Sequence, residues 1–379
     1  MAASFDVCIR GAGIVGRTLA LLLARERLQV ALIAAAKPPQ TAPDVRAYAL
    51  SPAVRAVLES VRGWPADALA ATPVLAMQVH GDQQGAVHFS AAQQGVPALG
   101  WIVDVPALER QLEQACHYQS GITPVTVPAP DPISAPLTVI CEGRASGTRA
   151  ALGVDYESVH YTQQAIATRA ECEKPHGQIA RQWFTADGDI LAFLPLGGPQ
   201  GKEVAVIWSV QQARLSDSLA EDDAAFAERL QAISGNALGA LRLNAPRAHW
   251  PLLLARAVRW VGAWPDQSGS FALAGDAAHA MHPLAGQGVN FGLGDAAELA
   301  RVIAARQAWR SLSDLKLLRR YERARQAQWL RFAAATDGLQ RLFTRPEPGV
   351  AWLRNQAMQW FDRITPIKSR AARAAMGLD

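Results

Sequence analysis

Two glycine-rich stretches hold the residues of this chain whose types and spacing could do chemistry. The longer spans residues 270–299, S-F-A-L-A-G-D-A-A-H-A-M-H-P-L-A-G-Q-G-V-N-F-G-L-G-D-A-A-E-L. Its apolar residues 271–274 predict a buried strand, and Gly275-Asp276 sets a carboxylate at that strand's carboxyl end. An irregular segment, 279–283, follows, and Gly286-Gln287-Gly288 opens a helical pattern from about Val289. Glycines running into a helix start present free backbone N–H groups and a positive dipole end, so something anionic or electron-rich is expected there. Without Cβ atoms to obstruct it, the chain from Ala285 to Asn290 can pass flat against a ring. His279 and His282 are three apart, but no third ligand is apparent, so packing of the loop outweighs a metal site and no metal is expected.

The shorter stretch is Gly11-Ala12-Gly13-Ile14-Val15-Gly16. Residues 5–10 before it read as a strand, 17–25 after it as a helix, and 30–33 as a second strand. That context turns a weak six-residue match into a dinucleotide-binding signature. The first glycine permits a tight turn, the second lets a pyrophosphate approach the backbone, and the third lets helix and strand pack closely. The acid that usually ends the second strand and holds a ribose is missing, because the chain has Ala34-Ala35-Ala36 there. No second strand–GxGxxG–helix unit exists, so a nicotinamide donor has no fold of its own. Taken alone, Arg46 in R-A-Y-A-L-S-P reads as a surface charge.

Those stretches must be positioned by a larger frame. At 379 residues the chain exceeds one ordinary core, so two lobes are expected. Residues 52–61 and 107–118 read as helices, 137–141 as a buried strand, and 124–136 as a proline-rich connection. Residues 74–80 and 86–90 look like strands of a separate sheet. Further strands are expected at 179–185, 189–194 and 203–210, a helix at 221–233, and a strand leading to Trp250. Strands in a row without helices between them indicate a second lobe with its own sheet, a natural substrate wall. A long basic helix is predicted at 312–336.

Composition narrows the class. Half the residues are hydrophobic and 18% are charged, ordinary for a globular protein. No apolar run reaches the length that spans a bilayer, and no secretory signal precedes the first strand, so a cytoplasmic location is expected. Cys8, Cys116, Cys141 and Cys172 form no paired motif and read as reduced thiols. The net charge of +4 is uneven: residues 301–379 hold 16 Lys/Arg against 6 Asp/Glu, leaving the remainder acidic. A basic C-terminal third suits an anionic membrane surface or an acidic partner as well as plain solvated helix faces. Without a reading motif interleaved with that charge, nucleic acid is not expected.

Taken together, G-A-G-I-V-G, R-A-Y-A-L, I-V-D-V-P-A-L-E-R-Q-L (102–112), L-P-L (194–196), W-P-L (250–252) and G-D-A-A-H-A-M-H-P-L-A-G-Q-G-V-N (275–290) occur in one order. That order resembles the ubiquinone-biosynthesis hydroxylases, a branch of the FAD-dependent aromatic monooxygenases related to p-hydroxybenzoate hydroxylase. The resemblance covers almost the whole chain. It implies an α/β fold: a Rossmann-like FAD-binding domain (1–72, 101–150 and 262–345) with an inserted, mostly antiparallel β-sheet substrate domain (73–100 and 151–261) and a C-terminal helical segment (346–379). It also implies that Gly11, Gly13, Ile14, Val15 and Gly16 cradle the FAD pyrophosphate while Arg46 reaches the cofactor from its loop. Gly275 and Asp276 would meet the ribityl or pyrophosphate portion. Gly286, Gln287, Gly288, Val289 and Asn290 would lie along the isoalloxazine, with Pro283 near its reacting face.

The reaction so implied is hydroxylation of a polyprenylated phenol or quinone precursor by a flavin hydroperoxide. Its partners are dioxygen and NAD(P)H or an electron-transfer protein, and no catalytic acid or base is nominated. A ubiquinone-biosynthesis complex, or peripheral contact with the inner membrane through the basic C-terminal region, belongs to the same expectation. Three features depart from the family: Ala34 for the ribose-binding acid, Glu142-Gly143 for the usual Asp-Gly, and a shorter, proline-rich segment between Leu112 and Glu142. They keep two alternatives open, a scaffold paralogue with weakened or absent flavin and a flavin hydroxylase of an unrelated aromatic. In the C-terminal segment Trp352, Leu353, Gln356, Ala357, Trp360, Phe361 and Ile364 recur at helical spacing. That stripe suits a membrane surface, another subunit, or docking on the chain's own flavin domain, the last slightly favoured.

Overall fold

Continuous apolar runs belong at the centre of a parallel sheet, where both faces are covered. The computed structural model, which describes residues 5–34, 43–126, 133–265, 269–281, 288–344 and 348–377, puts them there. A six-stranded sheet runs in the order Val261–Ala263, Ser270–Leu273, Leu137–Ile140, Val7–Arg10, Val30–Ala34, Ile122–Thr126. Every pairing in it is parallel except that of the edge strand Val261–Ala263. Val7, Ile9, Val30, Leu137, Val139, Ala272 and Leu273 are wholly enclosed. The helix Ile14–Arg25 packs against Gly288–Ala304 and Val105–His117, and Gly288–Ala304 packs in turn on Leu315–Thr344. The first helix begins at Ile14, not at residue 17. Gly13, already extended at φ −81° and ψ −172°, serves as its N-cap, so the glycine motif itself makes the first turn.

The second sheet has nine strands. Eight follow the order His279–Ala280, Ala248–Ala257, Tyr156–Cys172, Glu203–Gln211, Ile190–Leu196, Ile179–Phe184, Ala76–His80, Ala86–Ser90, and Leu241–Leu243 pairs with Tyr156–Cys172. All pairings are antiparallel except Ile179–Phe184 with Ala76–His80. The 17-residue strand Tyr156–Cys172 is its spine and escaped sequence reading, because its first half is polar and exposed and shows no apolar alternation. Residues 74–80 are not one strand. Ala71–Val74 joins Gly100–Asp104 and Ala47–Leu50 in a three-stranded sheet, whereas Ala76–His80 joins the large one.

One face of the large sheet presents Trp183, Leu191, Phe193, Val206 and Trp208 to Phe226, Ala227 and Leu230 of the helix Asp223–Ile233. Strand registers put Ala165, Ala192, Leu194, Ile207, Ser209 and Trp250 on the opposite face. There Ala180, Leu196 and Ala205 meet Ala47, Val74 and Ile102 of the small sheet.

The C-terminal helix Pro348–Arg363 docks chiefly on the edge hairpin of the large sheet rather than on the expected flavin-binding lobe, which the segment meets at Leu315–Thr344 and where Gly377, after the last helix Thr365–Met376, stands against Ala53. Its Met358 and Phe361 pack with Val87, Phe89, Phe184 and Ile190. The hairpin lacks side chains at Gly81 and Gly85, where Asn355 enters, and Gly85 N–H donates to Asn355 Oδ1 at 2.8 Å. Asp82 accepts from Asn355 Nδ2 at 2.7 Å and pairs with Arg354. No helix among the described residues is long and apolar enough to cross a membrane.

Candidate cofactor site

The three glycines of the first motif have different neighbours. A Cβ on Gly11, at φ +108°, would stand 2.4 Å from the Cys141 carbonyl oxygen, and one on Gly16 would stand 1.9 Å from the Gly11 oxygen. Both are required by the chain's own packing. A Cβ on Gly13 would meet no protein atom within 4 Å, so that glycine opens onto space a ligand can enter. The helix behind it has neither a side-chain cap nor an acidic residue in its first turn. Its leading amides at Ile14, Val15 and Gly16 therefore suit an anion held from outside the fold.

The second motif forms a strand end and a tight turn. Gly275 takes φ +62°, where L residues are strained, and Gly275–Ala277 closes a 3-10 turn. Three side chains hold it. Gly275 N–H donates to Asp295 Oδ2 at 2.9 Å, Tyr156 Oη to the Asp276 carbonyl at 2.8 Å, and Arg149 Nη1 to the Ala277 carbonyl at 3.1 Å. The Arg149 guanidinium also lies 3.7 Å over the Tyr156 ring. The Asp276 side chain faces solvent yet is closely surrounded by protein, and the loss of hydrating water raises its carboxyl above the usual range against the pull of His279 and Arg144.

Val15 joins the two motifs. A Cβ on Gly275 would come within 3.2 Å of Val15 Cγ2, and one on Gly292 within 2.8 Å. Gly275, Gly292 and Val15 thus interlock, and the helix starts at Ile14 and Gly288 converge on the carboxyl ends of Val7–Arg10 and Ser270–Leu273. In open α/β sheets that is where ligands bind.

Arg46 stands nearby with its side chain partly exposed. Asp44 binds it through Nε at 2.9 Å and Nη2 at 2.6 Å, Tyr48 Oη lies 3.2 Å from Nη1, and Glu109 is 3.6 Å away. Asn290 spends its side chain inside the protein, accepting from Ser51 N–H at 2.9 Å and donating to the Ala49 carbonyl at 2.7 Å. It ties the second helix to the strand Ala47–Leu50, which Arg46 leads into. Val289 is half-buried at that helix's first turn, and a Cβ on Gly288 would meet nothing within 4 Å. Pro283, Gly286 and Gln287 lie outside the described residues, as do His282, Ala35 and Ala36.

Sequence reading gave no part to Asp295, Tyr156, Arg149 or Arg325. The only signal was Asp295 within G-L-G-D-A-A, a polar residue on an otherwise apolar helix face. Glu142 also turns out to be occupied. It accepts from Arg10 Nε at 3.0 Å, Thr148 Oγ1 and Ser146 Oγ at 2.7 Å, and Thr148 N–H at 3.1 Å. Burial pushes its carboxyl up, but these donors overcome that and hold it below the usual range. Its oxygens serve the start of the Gly147–Ala151 helix. Among the described residues no cluster of three His, Cys, Asp or Glu could hold a metal, and all four cysteines are free.

Open space at Gly13, uncapped helix amides and an acid on the turn beside them fit the pyrophosphate and polyol portions of a flavin dinucleotide. The fold and site thus define a nucleotide-binding α/β enzyme with a second, sheet-built lobe. The FAD binding domain model matches residues 117–334. Ubiquinone hydroxylase UbiL of Rhodospirillum rubrum is 32% identical over 98% of this chain and 89% of its own length. The 3-demethoxyubiquinol 3-hydroxylase of Escherichia coli is 29% identical over 98% of both chains. In fold, p-nitrophenol 4-monooxygenase PnpA of Pseudomonas putida superposes with a TM-score of 0.75 at 15% identity, covering 99% of each chain. The chain belongs to the ubiquinone-biosynthesis hydroxylase family of FAD-dependent aromatic monooxygenases. It is an FAD-dependent monooxygenase, acting with dioxygen and an electron donor on an aromatic substrate.

Proposed function

We propose that this enzyme hydroxylates the ring of a polyprenylated phenol or quinone precursor in ubiquinone biosynthesis. The observation that carries this is the convergence of both glycine motifs at the carboxyl ends of strands in one sheet, in a chain similar from end to end to ubiquinone hydroxylases. FAD held there would supply the redox chemistry, reduction by NAD(P)H or a protein donor and activation of dioxygen.

The chain's own residues bind and orient. Amides of Gly13, Ile14, Val15 and Gly16 would hold the pyrophosphate over the turn made by Gly11, whose own N–H donates to the Ile33 carbonyl at 2.9 Å, while Arg46 would reach the cofactor from its loop and Gly275 and Asp276 would meet the ribityl chain. Gly288, Val289 and Asn290 would lie along the isoalloxazine. Asn290 contributes its backbone, since its side chain is engaged with Ala49 and Ser51. The amino end of the 17-residue helix Gly288–Ala304 favours the negative charge that a reduced flavin ring carries. In the division of labour we propose, the six-stranded lobe holds FAD and the large sheet, whose face carries Ala192, Leu194, Ile207 and Trp250, forms the substrate wall. That largely apolar wall suits a ring bearing a hydrocarbon tail.

Contact with the inner membrane from the cytoplasmic side belongs to the same reading. Trp352, Trp360, Ile364 and Ile367 are exposed beside Arg363 and Arg370, a pairing suited to an anionic lipid surface. A scaffold role with weakened flavin is the second reading, favoured by Ala34 at the ribose position and by the occupied carboxylate of Glu142.

The test is spectroscopic and chemical. The purified protein should show a flavin spectrum, release FAD on denaturation, and oxidise NAD(P)H, or accept electrons from a donor protein, faster when the precursor accumulated by a deletion strain is added. A colourless protein that gains no thermal stability from added FAD would establish the scaffold instead.

A further inference from the structure

A buried charge cluster is bonded directly to the Gly275–Asp276 turn. Asp295 is fully enclosed. Its Oδ2 accepts from Gly275 N–H at 2.9 Å and from His279 Nε2 at 2.6 Å, and its Oδ1 accepts from Arg325 Nε at 2.7 Å. Arg325 Nη2 donates to the Phe291 carbonyl at 2.9 Å, and position 294 is glycine because a Cβ there would stand 2.9 Å from that nitrogen. One turn earlier on the Leu315–Thr344 helix, Tyr321 Oη donates to the Leu273 carbonyl at 2.7 Å and Glu322 Oε1 accepts from Trp260 N–H at 2.7 Å. The long basic helix is thereby a clamp on the strand end that leads into the turn. Burial drives the Asp295 carboxyl upward, yet His279 and Arg325 overcome it and hold the group below the usual range, so the turn is fastened by a carboxylate.

A neutral hydrogen bond would have been enough to satisfy one amide. Burying an Asp and an Arg carries a large desolvation cost, offset here by three donors on Asp295 and by bonds from Arg325 to Asp295, Gln328 and the Phe291 carbonyl. Such an arrangement fixes geometry more firmly than an apolar contact, because each group has one low-energy position.

We propose that Asp295 is a positioning residue for the cofactor, acting through the Gly275 amide to aim Asp276, with Arg325 holding Asp295 in place. This role rests on the reading that Asp276 contacts FAD.

The test is a double-mutant cycle on FAD affinity, measured by titrating FAD into flavin-free protein and following flavin fluorescence. Asp276→Ala and Asp295→Asn should each weaken binding about tenfold or more, as loss of a hydrogen bond to a charged group does. The double variant should be no weaker than the worse single one, because residues acting through one another do not add. Losses that multiply in the double variant would overturn the role, as would an Asp295→Asn protein that melts lower but binds FAD normally. Should Asp295→Asn fail to fold, Arg325→Lys keeps the buried charge while losing the two-pronged donor. A severalfold loss that vanishes in the Asp276→Ala background then supports the role, and a loss that persists there overturns it. Wild-type affinity in Asp276→Ala alone would remove the cofactor reading of Asp276 itself, and Asp295's role with it.

Discussion

A methyl group added at Gly16 and one added at Gly13 should do different damage. At Gly16 it meets the Gly11 carbonyl oxygen at 1.9 Å, backbone that cannot step aside. Gly16→Ala should therefore lower the unfolding free energy of the FAD-free protein by about 1–3 kcal/mol or more, read from urea titration. At Gly13 the methyl finds open space and an ordinary φ of −81°. Gly13→Ala should leave that stability within about 0.5 kcal/mol and weaken FAD binding, which fluorescence titration would register. Equal effects in both assays would remove the distinction. Acid stability is also set at single residues. Asp295, Asp44 and Glu142 all have folded-state carboxyls below their ordinary values. Their stabilisation is complete above those ordinary values and is lost as pH falls through the lower folded ones, since the unfolded chain takes up protons first. Asp189, which burial raises to about 6 despite Arg214 beside it, acts the other way: its contribution is present at low pH and is lost as pH rises through that value. The urea midpoint should drop below about pH 4, where the three lowered carboxyls dominate, and a profile flat to pH 3 would contradict this assignment.

Between elements, the decisive contact is the crossing of Ile14–Arg25 over Gly288–Ala304. Gly292 gives Val15 its place, and Val15 fills the hollow under Gly275. Gly292→Ala should force the helices apart and cost about 1–3 kcal/mol of stability. Shortening the intruding side chain with Val15→Ala in the same protein should return part of that loss, a coupling that a double-mutant cycle measures. Additive losses would show that the helices do not meet through this pair. The strands and the first motif were legible in advance because apolar runs and glycine spacing are local signals. The Tyr156–Cys172 spine was not, since it gains its burial from neighbours on both sides rather than from its own alternation.

Across the whole molecule, the exposed aromatic and basic surface of the C-terminal segment is carried by helices beginning at the one docked on the large sheet. Deleting the segment from residue 345 onward should abolish association with anionic liposomes while flavin content stays unchanged. Cosedimentation undiminished by the deletion would place the lipid contact elsewhere. The helix itself is held by a polar latch, so Asn355→Ala, which removes bonds to Gly85 and Asp82, should speed amide exchange across 348–376 without altering FAD affinity. Exchange unchanged from wild type would mean that Met358 and Phe361 suffice to dock it.

By itself the sequence determined that glycine-rich turns would open helices in a nucleotide-binding fold, that a second sheet would stand beside them, and that the C-terminal third would be basic. Each follows from residues near one another in the chain, where turn geometry, periodicity and composition act directly. Only the tertiary structure decided how the two motifs meet, through Val15 against Gly275 and Gly292, and what holds the turn, through Tyr156, Arg149 and the Asp295–Arg325 pair. It also moved the C-terminal helix onto the large sheet. These contacts join segments far apart in the sequence, and a buried carboxylate or a missing Cβ acquires its meaning from the partner that folding brings against it.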